Sequence, residues 1–583
     1  MSRRWAVACW AWISLVGCGG GQKPTMTMPD TPKAPKVVKE TFTSKADLAA
    51  IVQKPPTPIK WSEADTAAKP WTLTGPFPEG REGAALDPVD AVSAHLSKAQ
   101  AVATGQSSIT ASMTCAAREV ARYIAQQGQP PASSVERFIA GRCGSPETRL
   151  TLRWAKGRAD EGSTDEAILE QWSTSLKGFV EQTPEGQAVG MSLARAGDQA
   201  ALVWVGRRRR VKFYRVDNTP NDKGEVVVQG ESFAGDGALS AAVNHGQYES
   251  ALCTTEVTGK RFKLVCPVRK TDASTWISLH HTPTGRLLGT TLGEALIWPQ
   301  GGPQDTYTPA PSVPSANLER IGDLGEAFTV TVNRLREAAG RPPLTLDGEQ
   351  SAVSQKSVGH FFAASGSSDG AEADRIALGL MAGWSVAGNV RSGRFRSERS
   401  SSNDLSRTMS ALLERPWGRR MLLDTEAARI AVGGEKSPDG KGFVALITTY
   451  QVMEEAENAE GQLQAVTDRI TELRGGAPVR RLTALEALVP KLGEHITLGL
   501  NTPKGAMYDL MDAARKHLDT GVQAWRWEGG DLSQMPLPAQ LKQKAGTLSV
   551  AVVVSRYRPA GSPWHRYVVL LAWPDGRLQT AAR

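Results

Sequence analysis

Residues 318–364 read LERIGDLGEAFTVTVNRLREAAGRPPLTLDGEQSAVSQKSVGHFFAA. A helix runs to Gly340, where Pro342-Pro343 break it. Leu344 to Asp347 then lead into a second helix. His360 is the single histidine between residues 317 and 453, and its spacing puts it on that second helix. The expectation is a helix-surface or core-edge imidazole. Outward from this core come AGNV at Ala387 to Val390 and then LLERPWGRRMLLDTEAARIAVGGEKSPDGKGFVALITTYQV at 412–452, which reads as a helix entering a final hairpin. Arg391, Arg394, Arg396 and Arg399, spaced by serines, read as a basic loop, solvated by default, with contact to an anionic polymer as the minority reading.

The pieces V-N-x-x-R-x-x-x-G-x-x-P-L-x-x-D (332–347), then A-G-N-V, then the terminal helix and hairpin follow one order and spacing. They resemble the CAP superfamily (cysteine-rich secretory, antigen 5, pathogenesis-related; also SCP), with A-G-N-V standing where the family has G-E-N-[IL]. The resemblance covers roughly Asn317 to Met453, about a quarter of the chain. It implies an α-β-α sandwich. Metal-binding members use two His and two acidic residues in a cleft. Carried onto this chain, one ligand position falls near Asp369, the Glu of G-E-N falls on Gly388 beside Asn389, and a second His falls on Gly418. One imidazole cannot build a two-His site, and glycine offers no ligand. The expectation is therefore a CAP-like domain with degenerate cleft positions, no metal, no cofactor and no catalytic residue.

Toward the C-terminus, RITELRGGAPVRRLTALEALVPKLGEHITLGL (469–500) follows a helix. Setting Pro478 on Pro343 brings His495 onto His360, Val479 onto Leu344 and Ala487 onto Ala352 without a gap. GTLSVAVVVSRYRPAGSPWHRYVVLLAW has the strand-turn-strand layout of AARIAVGGEKSPDGKGFVALITTY. Residues 454–583 read either as a degenerate CAP-like repeat or as an unrelated α+β domain. Different strand orders in the two segments would sink the repeat.

Toward the N-terminus, Trp298 to Pro314 (WPQGGPQDTYTPAPSVP) reads as a Pro-rich linker, giving 298–315 as a boundary. Before it, Pro70 to Ile297 reads helix first and strand later. The helices are Pro88 to Ala103, a pair around Gln127-Gly128-Gln129-Pro130-Pro131, and Asp165 to Phe179. The strands are Gly190 to Ala196, Ala200 to Gly206, Val211 to Val216, Glu225 to Gln229 and a hairpin about Gly259-Lys260. This pattern predicts one α+β domain over 70–297, and the whole chain is α+β multidomain. Arg207 to Arg210 lie between two strands and read as a solvated hairpin tip rather than a nucleic-acid patch. His280 and His281 are adjacent, so a strand points them to opposite faces.

The first 18 residues carry Arg3-Arg4, an apolar run from Trp5 to Val16 and Leu15-Val16-Gly17-Cys18. The run is too short to span a bilayer and fits a signal h-region. The ending resembles a bacterial lipobox, implying a lipidated Cys18 and, with Gly19-Gly20-Gly21 after it, outer-membrane sorting in a Gram-negative cell. Residues 18–69 read as a tether. Of 6 Cys, two lie in these ends, leaving Cys115, Cys143, Cys253 and Cys266. Three pairings are open. Local geometry favours Cys253 with Cys266, opposite each other across the Gly259-Lys260 loop, and Cys115 with Cys143 at the open end of the helix pair. A structural metal has no C-x-x-C to support it.

The chain's 583 residues suggest about three to four domains. With 40% hydrophobic and 22% charged residues it is not disordered, collagen-like or multi-spanning. The net charge of +8 is dispersed and does not argue for nucleic acid. The first expectation is a lipid-anchored envelope protein that binds or scaffolds, with the membrane and an envelope polymer or protein as partners. An envelope hydrolase (peptidase or esterase) and a lipid- or sterol-binding protein are the alternatives. No G-x-S-x-G or H-E-x-x-H marks the hydrolase.

Overall fold

The computed structural model describes residues 43–575, apart from 56–57, 60, 62–67, 79–107, 148, 160–161, 182–186, 310–317, 319–322, 366–369, 401, 454–458, 486, 519–520 and 543–545. Cys18, the leader, the expected helix Pro88–Ala103 and Asp369 lie outside the described residues. The stretch expected as tether contains a helix, α1 (Lys45–Val52), started by a capping box between Ser44 and Asp47. Its Leu48 and Ile51 are buried, so an apolar pair hidden in a Pro/Lys-rich segment ties that segment to the body. A short strand, β1 (Trp71–Thr72), follows.

The first sheet is built from β2 (Ser108–Ile109), β3 (Thr151–Arg158), β4 (Gln187–Ala196) and β5 (Gln199–Arg208). Its helices are α2 (Ala111–Gln127), α3 (Ser133–Arg142), α4 (Asp165–Gln171) and α5 (Ser173–Glu181). The strand order is β2-β4-β5-β3, with β2 parallel to β4 and the other pairs antiparallel. The chain then makes β6 (Val211–Val216), β7 (Glu225–Ser232), β8 (Gly237–His245), β9 (Glu249–Leu252), β10 (Thr254–Thr258), β11 (Arg261–Pro267), β12 (Thr275–Pro283) and β13 (Thr290–Ile297). These form two antiparallel sheets, β10-β11-β7-β6 and β13-β12-β8-β9. Their inner faces share one core that includes Val226, Val228, Leu264, Val243, Ile277 and Ala295. The stretch 70–297 thus holds an α/β layer structure and a separate β-sandwich. β14 (Thr306–Tyr307) pairs with β1, so part of the expected linker is a strand with a buried tyrosine.

The second α/β sheet comes from α6 (Leu324–Ala338), β15 (Thr345–Leu346), α7 (Gly348–Ala364), α8 (Ala371–Met381), β16 (Val390–Ser400), α9 (Leu405–Glu414), α10 (Pro416–Leu422), β17 (Arg429–Lys436) and β18 (Phe443–Val452). The third comes from α11 (Ala459–Leu473), β19 (Val479–Arg481), α12 (Val489–Thr497), α13 (Pro503–Leu518), β20 (Val522–Gly529), α14 (Ala539–Lys542), β21 (Leu548–Tyr557) and β22 (Arg566–Pro574). The second sheet runs β15-β17-β18-β16 and the third β19-β21-β22-β20. Both repeat the order and strand directions of the first: a short opening strand parallel to the third strand, then an antiparallel hairpin, then the second strand at the far edge. The register repeats too. The N–H leaving the opening strand donates to the third strand in each sheet: Thr110 to the Val189 carbonyl, Asp347 to Ile430 and Leu482 to Val550.

In each unit the last strand is buried on both faces and reads as an almost unbroken apolar run. In β18, Val444 and Leu446 face α1, α7 and α8, while Phe443, Ala445 and Ile447 face α6, α9 and α10. β22 divides likewise, Val568 and Leu570 to one core and Val569 and Leu571 to the other. β5 gives Ala201 and Val203 to one and Leu202 and Trp204 to the other. Helix-sheet-helix layering follows directly from this alternation. Bare backbone lets the helix after the opening strand sit close. A Cβ on Gly190 would fall 2.2 Å from Met113 backbone in α2, and one on Gly433 2.2 Å from Gln355 N in α7.

Two disulfides are present. Cys115 and Cys143 join α2 to the end of α3, with Cα atoms 5.7 Å apart. Cys253 and Cys266 are bonded at 4.2 Å between Cα atoms. The register Thr258↔Arg261 through Thr254↔Val265 puts them opposite each other.

Candidate functional site

The signature residues of 332–347 form scaffold. Asn333 Nδ2 donates to the Leu344 carbonyl and its Oδ1 accepts the Leu344 N–H, closing the helix-to-strand corner. Asp347 caps α7 through the Gln350 N–H and also accepts the Ala387 N–H, which holds the A-G-N-V loop over the helix start. Arg336 is fully buried. Its guanidinium donates to the carbonyls of Pro342, Leu422, Asp424 and Ala427 at 2.6–3.3 Å. In the third unit Arg474 does the same, donating to Leu541, Ala477, Pro478 and Gly546 at 2.8–3.3 Å. Ala427 and Gly546 each lie two residues before the third strand of their sheet, so the two arginines staple equivalent loops.

The cleft-equivalent positions separate in role. Gly388 has φ 92° and Asn389 accepts the Met453 N–H with its carbonyl, so both serve the entry to β16. A Cβ at Gly418 would lie 2.3 Å from the Leu412 carbonyl oxygen, and the α9–α10 corner therefore has no room for a histidine there. His360 is 7% exposed on α7, whereas His495, its counterpart by alignment, is exposed on α12. Among the described residues no three His, Cys, Asp or Glu side chains converge as a metal-ligand set, and no helix is long and apolar enough to cross a membrane.

The basic stretches lie elsewhere than expected. Arg207 to Arg210 are not a hairpin tip: β5 belongs to the first sheet and β6 to the sandwich, so the run is the joint between two bodies. Arg391, Arg394, Arg396 and Arg399 are not in a loop. They lie on β16, an edge strand paired only with β18. A strand carrying half-buried polar residues on both faces shows no apolar alternation and is easily mistaken for a loop.

Both stretches meet at a hollow of about 600 Å³ where the first unit, the sandwich and the second unit converge. A second hollow of about 370 Å³ shares Ser133, Arg137, Arg149 and Arg415 with it. A tight ionic network ties the three bodies together beside them. Arg137 from α3 makes a two-pronged contact with Glu294 of β13 at 2.7 and 2.8 Å, and its Nη1 reaches the Glu414 carbonyl of α9 at 3.3 Å. The same guanidinium stacks on Trp276, 3.8 Å from the ring centre. Burial raises the Glu414 carboxyl above its ordinary pKa, an effect opposed by Arg137. Tyr307 from β14 donates to Glu414, and burial raises its phenol as well. Nearby, Arg419 of α10 donates to the Leu413, His245, Gly246 and Glu249 carbonyls, locking α10 onto the β8–β9 turn. Burial lowers its pKa to about 10.

The larger hollow is lined by six arginines (137, 149, 207, 210, 396 and 415) and three glutamates (136, 147 and 294), an excess of three positive charges that Glu398, paired with Arg396 just outside the lining, reduces to two. Arg137 and Arg396 have acidic partners, the latter Glu398 at 3.1 Å. Among the described residues the guanidinium groups of Arg149, Arg207, Arg210 and Arg415 form no hydrogen bond or ion pair. Burial, then the neighbouring Arg210, lowers the Arg207 pKa. Burial likewise lowers that of Arg415, and Glu398 partly offsets it. His280 lines the wall, packs against Trp417 with ring centres 4.8 Å apart and planes tilted 41°, and contacts Thr291 Oγ1 through Nε2 at 2.8 Å. Burial pushes its pKa down to about 4, so it is neutral at pH 7. The first turn of α3, which has no side-chain cap, completes the rim and adds its positive end. In the sequence, three of the six, Arg207, Arg210 and Arg396, lie in stretches that read as solvated. No local signal brings 149, 207 and 415 together.

No protein-family model matches this chain, and no curated protein matches it. Among solved structures it is similar to a 1.5 Å crystal structure of an extracellular protein containing an SCP domain from Bacillus anthracis str. Ames. The match is 11% identical, covers 42% of this chain and 86% of that one, and has a TM-score of 0.16. A TM-score that low carries no conclusion about fold or function.

Proposed function

We propose that this chain is a cell-envelope protein, lipid-anchored through Cys18 at the outer membrane of a Gram-negative cell, that works by binding rather than by catalysis. Three copies of one CAP-like α/β unit, with the sandwich inserted after the first, form a rigid frame around the binding hollow. The observation that carries this reading is the hollow itself. It lies where three bodies meet, it is bordered by the Arg137–Glu294 pair, and it presents four guanidinium groups with no hydrogen-bond or ion-pair partner among the described residues. Two of the four family ligand positions are glycine, which supports a role without the family's metal chemistry. The test is to incubate the purified full chain with an envelope extract and recover what it retains. The expected result is a saturable ligand released chemically unchanged. Turnover of a peptide or ester, dependent on stoichiometric zinc, would overturn the reading in favour of a hydrolase.

A further inference from the structure

The chemistry of the hollow's ligand follows from what lines it, and this step rests on the binding role proposed above. Burying an unpaired charge is costly, and a protein offsets that cost with a counter-charge or avoids it by placing another residue there. That cost falls on half-buried Arg207, from the end of β5, and half-buried Arg415, from the α9–α10 corner; Arg210 of the joint to the sandwich and the exposed Arg149 of the loop after α3 add their charges beside them. Three separate backbone segments thus deliver four guanidinium groups to one space of about 600 Å³. None of the four guanidinium groups makes an ion pair or hydrogen bond with a side chain among the described residues, and Glu147 near Arg207 and Glu398 near Arg415 offset their charges only in part. Glu294 is taken by Arg137, and Glu147 accepts the backbone N–H of Arg210 instead of its guanidinium. The buried indole N–H of Trp417 also has no acceptor among the described residues.

We infer that this hollow binds a phosphoryl group. A single carboxylate offers two oxygens and one charge, which leaves part of the excess uncompensated. A phosphate monoester carries about −1.5 to −2 at neutral pH and presents three strong acceptor oxygens, a match for several converging guanidinium groups. Arginine rather than lysine at all four positions fits planar, two-pronged recognition of such oxygens. The neutral His280 and the Trp417 ring, tilted 41° to each other, line an uncharged side of the hollow beside the charged one and suit the body of the phosphorylated molecule. That molecule is either soluble or the headgroup of a lipid, and the chemistry at the hollow is the same in both cases.

The test uses the full chain in detergent, titrated calorimetrically with inorganic pyrophosphate and, separately, with phosphatidylcholine micelles with or without phosphatidic acid. Saturable binding is expected that weakens as salt rises. Arg207→Gln and Arg415→Gln should each reduce affinity by roughly tenfold or more, the effect of losing one charge-assisted hydrogen bond. Arg158→Gln, on an exposed arginine paired with Asp198 away from the hollow, should leave it unchanged. Tighter binding of phosphatidate than of pyrophosphate assigns a lipid-borne phosphate, and the reverse assigns a soluble one. Absence of saturable binding by both probes, or binding indifferent to both arginine substitutions, overturns the inference. Capture of a neutral envelope ligand that Trp417→Ala abolishes would overturn it too, while leaving the binding role in place.

Discussion

Arg336 and Arg474 on one side, and Arg207 and Arg415 on the other, are the same residue used in opposite ways. The first pair is deeply buried, with each guanidinium donating to four backbone carbonyls. The second pair is half-buried and donates to nothing described in the protein. Planar geometry and five N–H donors make arginine suited to collecting carbonyls at a crowded corner. Where it collects none, the desolvated charge has no structural return. The contrast separates residues that hold the frame from residues held ready by it, although both kinds look alike in composition.

The largest effect should come from the collecting arginines. Arg336→Met leaves four carbonyls without their donor and should cost about 3–5 kcal/mol, in the range for breaking a buried charged contact from one side. Arg474→Met should cost a similar amount, confined to the third unit. Urea unfolding followed by hydrogen exchange would show both, and a loss under about 1 kcal/mol for either would remove the staple from the comparison.

The first unit is closed differently, by a disulfide where the other two units have no cysteine. The Cys115–Cys143 bridge spans a sequence separation of 28. Cys143→Ser should destabilise by roughly 2–4 kcal/mol, more than Cys266→Ser, whose bridge spans 13. Equal losses, or a larger loss at Cys266, would contradict loop closure as the source.

His280 sharpens the comparison through pH. Its pKa is lowered from 6.5 to about 4 in the folded chain. The unfolded chain therefore binds more protons between those values, and stability falls as pH drops from 6.5 toward 4. His280→Phe should remove part of that slope, about 1 kcal/mol between pH 7 and pH 5 after allowance for partial exposure. An unchanged slope would mean that the imidazole is not held neutral by the wall.

The smallest effect is expected at the hollow. Arg207 and Arg415 are held below their ordinary pKa by burial and by neighbouring arginines, so their charge opposes folding at neutral pH. Substitution by Gln should leave stability within about 1 kcal/mol of wild type, neutral or slightly raised. A loss of several kcal/mol would place these residues with Arg336 and erase the distinction.

The helix-break-helix of 318–364 is legible because Gly340 and Pro342-Pro343 act locally. The buried strands β18 and β22 are legible because both faces are apolar. β3, with the sequence TLRWAKGR, was missed because it is an edge strand with mixed faces. β16 looked like a loop for the same reason. Arg207–Arg210 misled for a different reason: two successive strands suggest a hairpin, and nothing local tells that β5 and β6 enter different sheets. The hollow depends on that sheet assignment and on the packing of α10 against the sandwich, so the sequence showed its arginines but not their convergence. Arg336 belongs to a local signature, yet three of its four carbonyl partners lie 86–91 residues downstream.

The most direct measurement is ligand occupancy, by native mass spectrometry, of the full chain recovered from envelope extract, for wild type and for the Arg207→Gln/Arg415→Gln double variant. Wild type should carry a bound molecule and the variant should lose it, with the unfolding midpoint unchanged. Equal occupancy in two equally stable proteins would contradict the assignment of the arginine-lined hollow as the binding site.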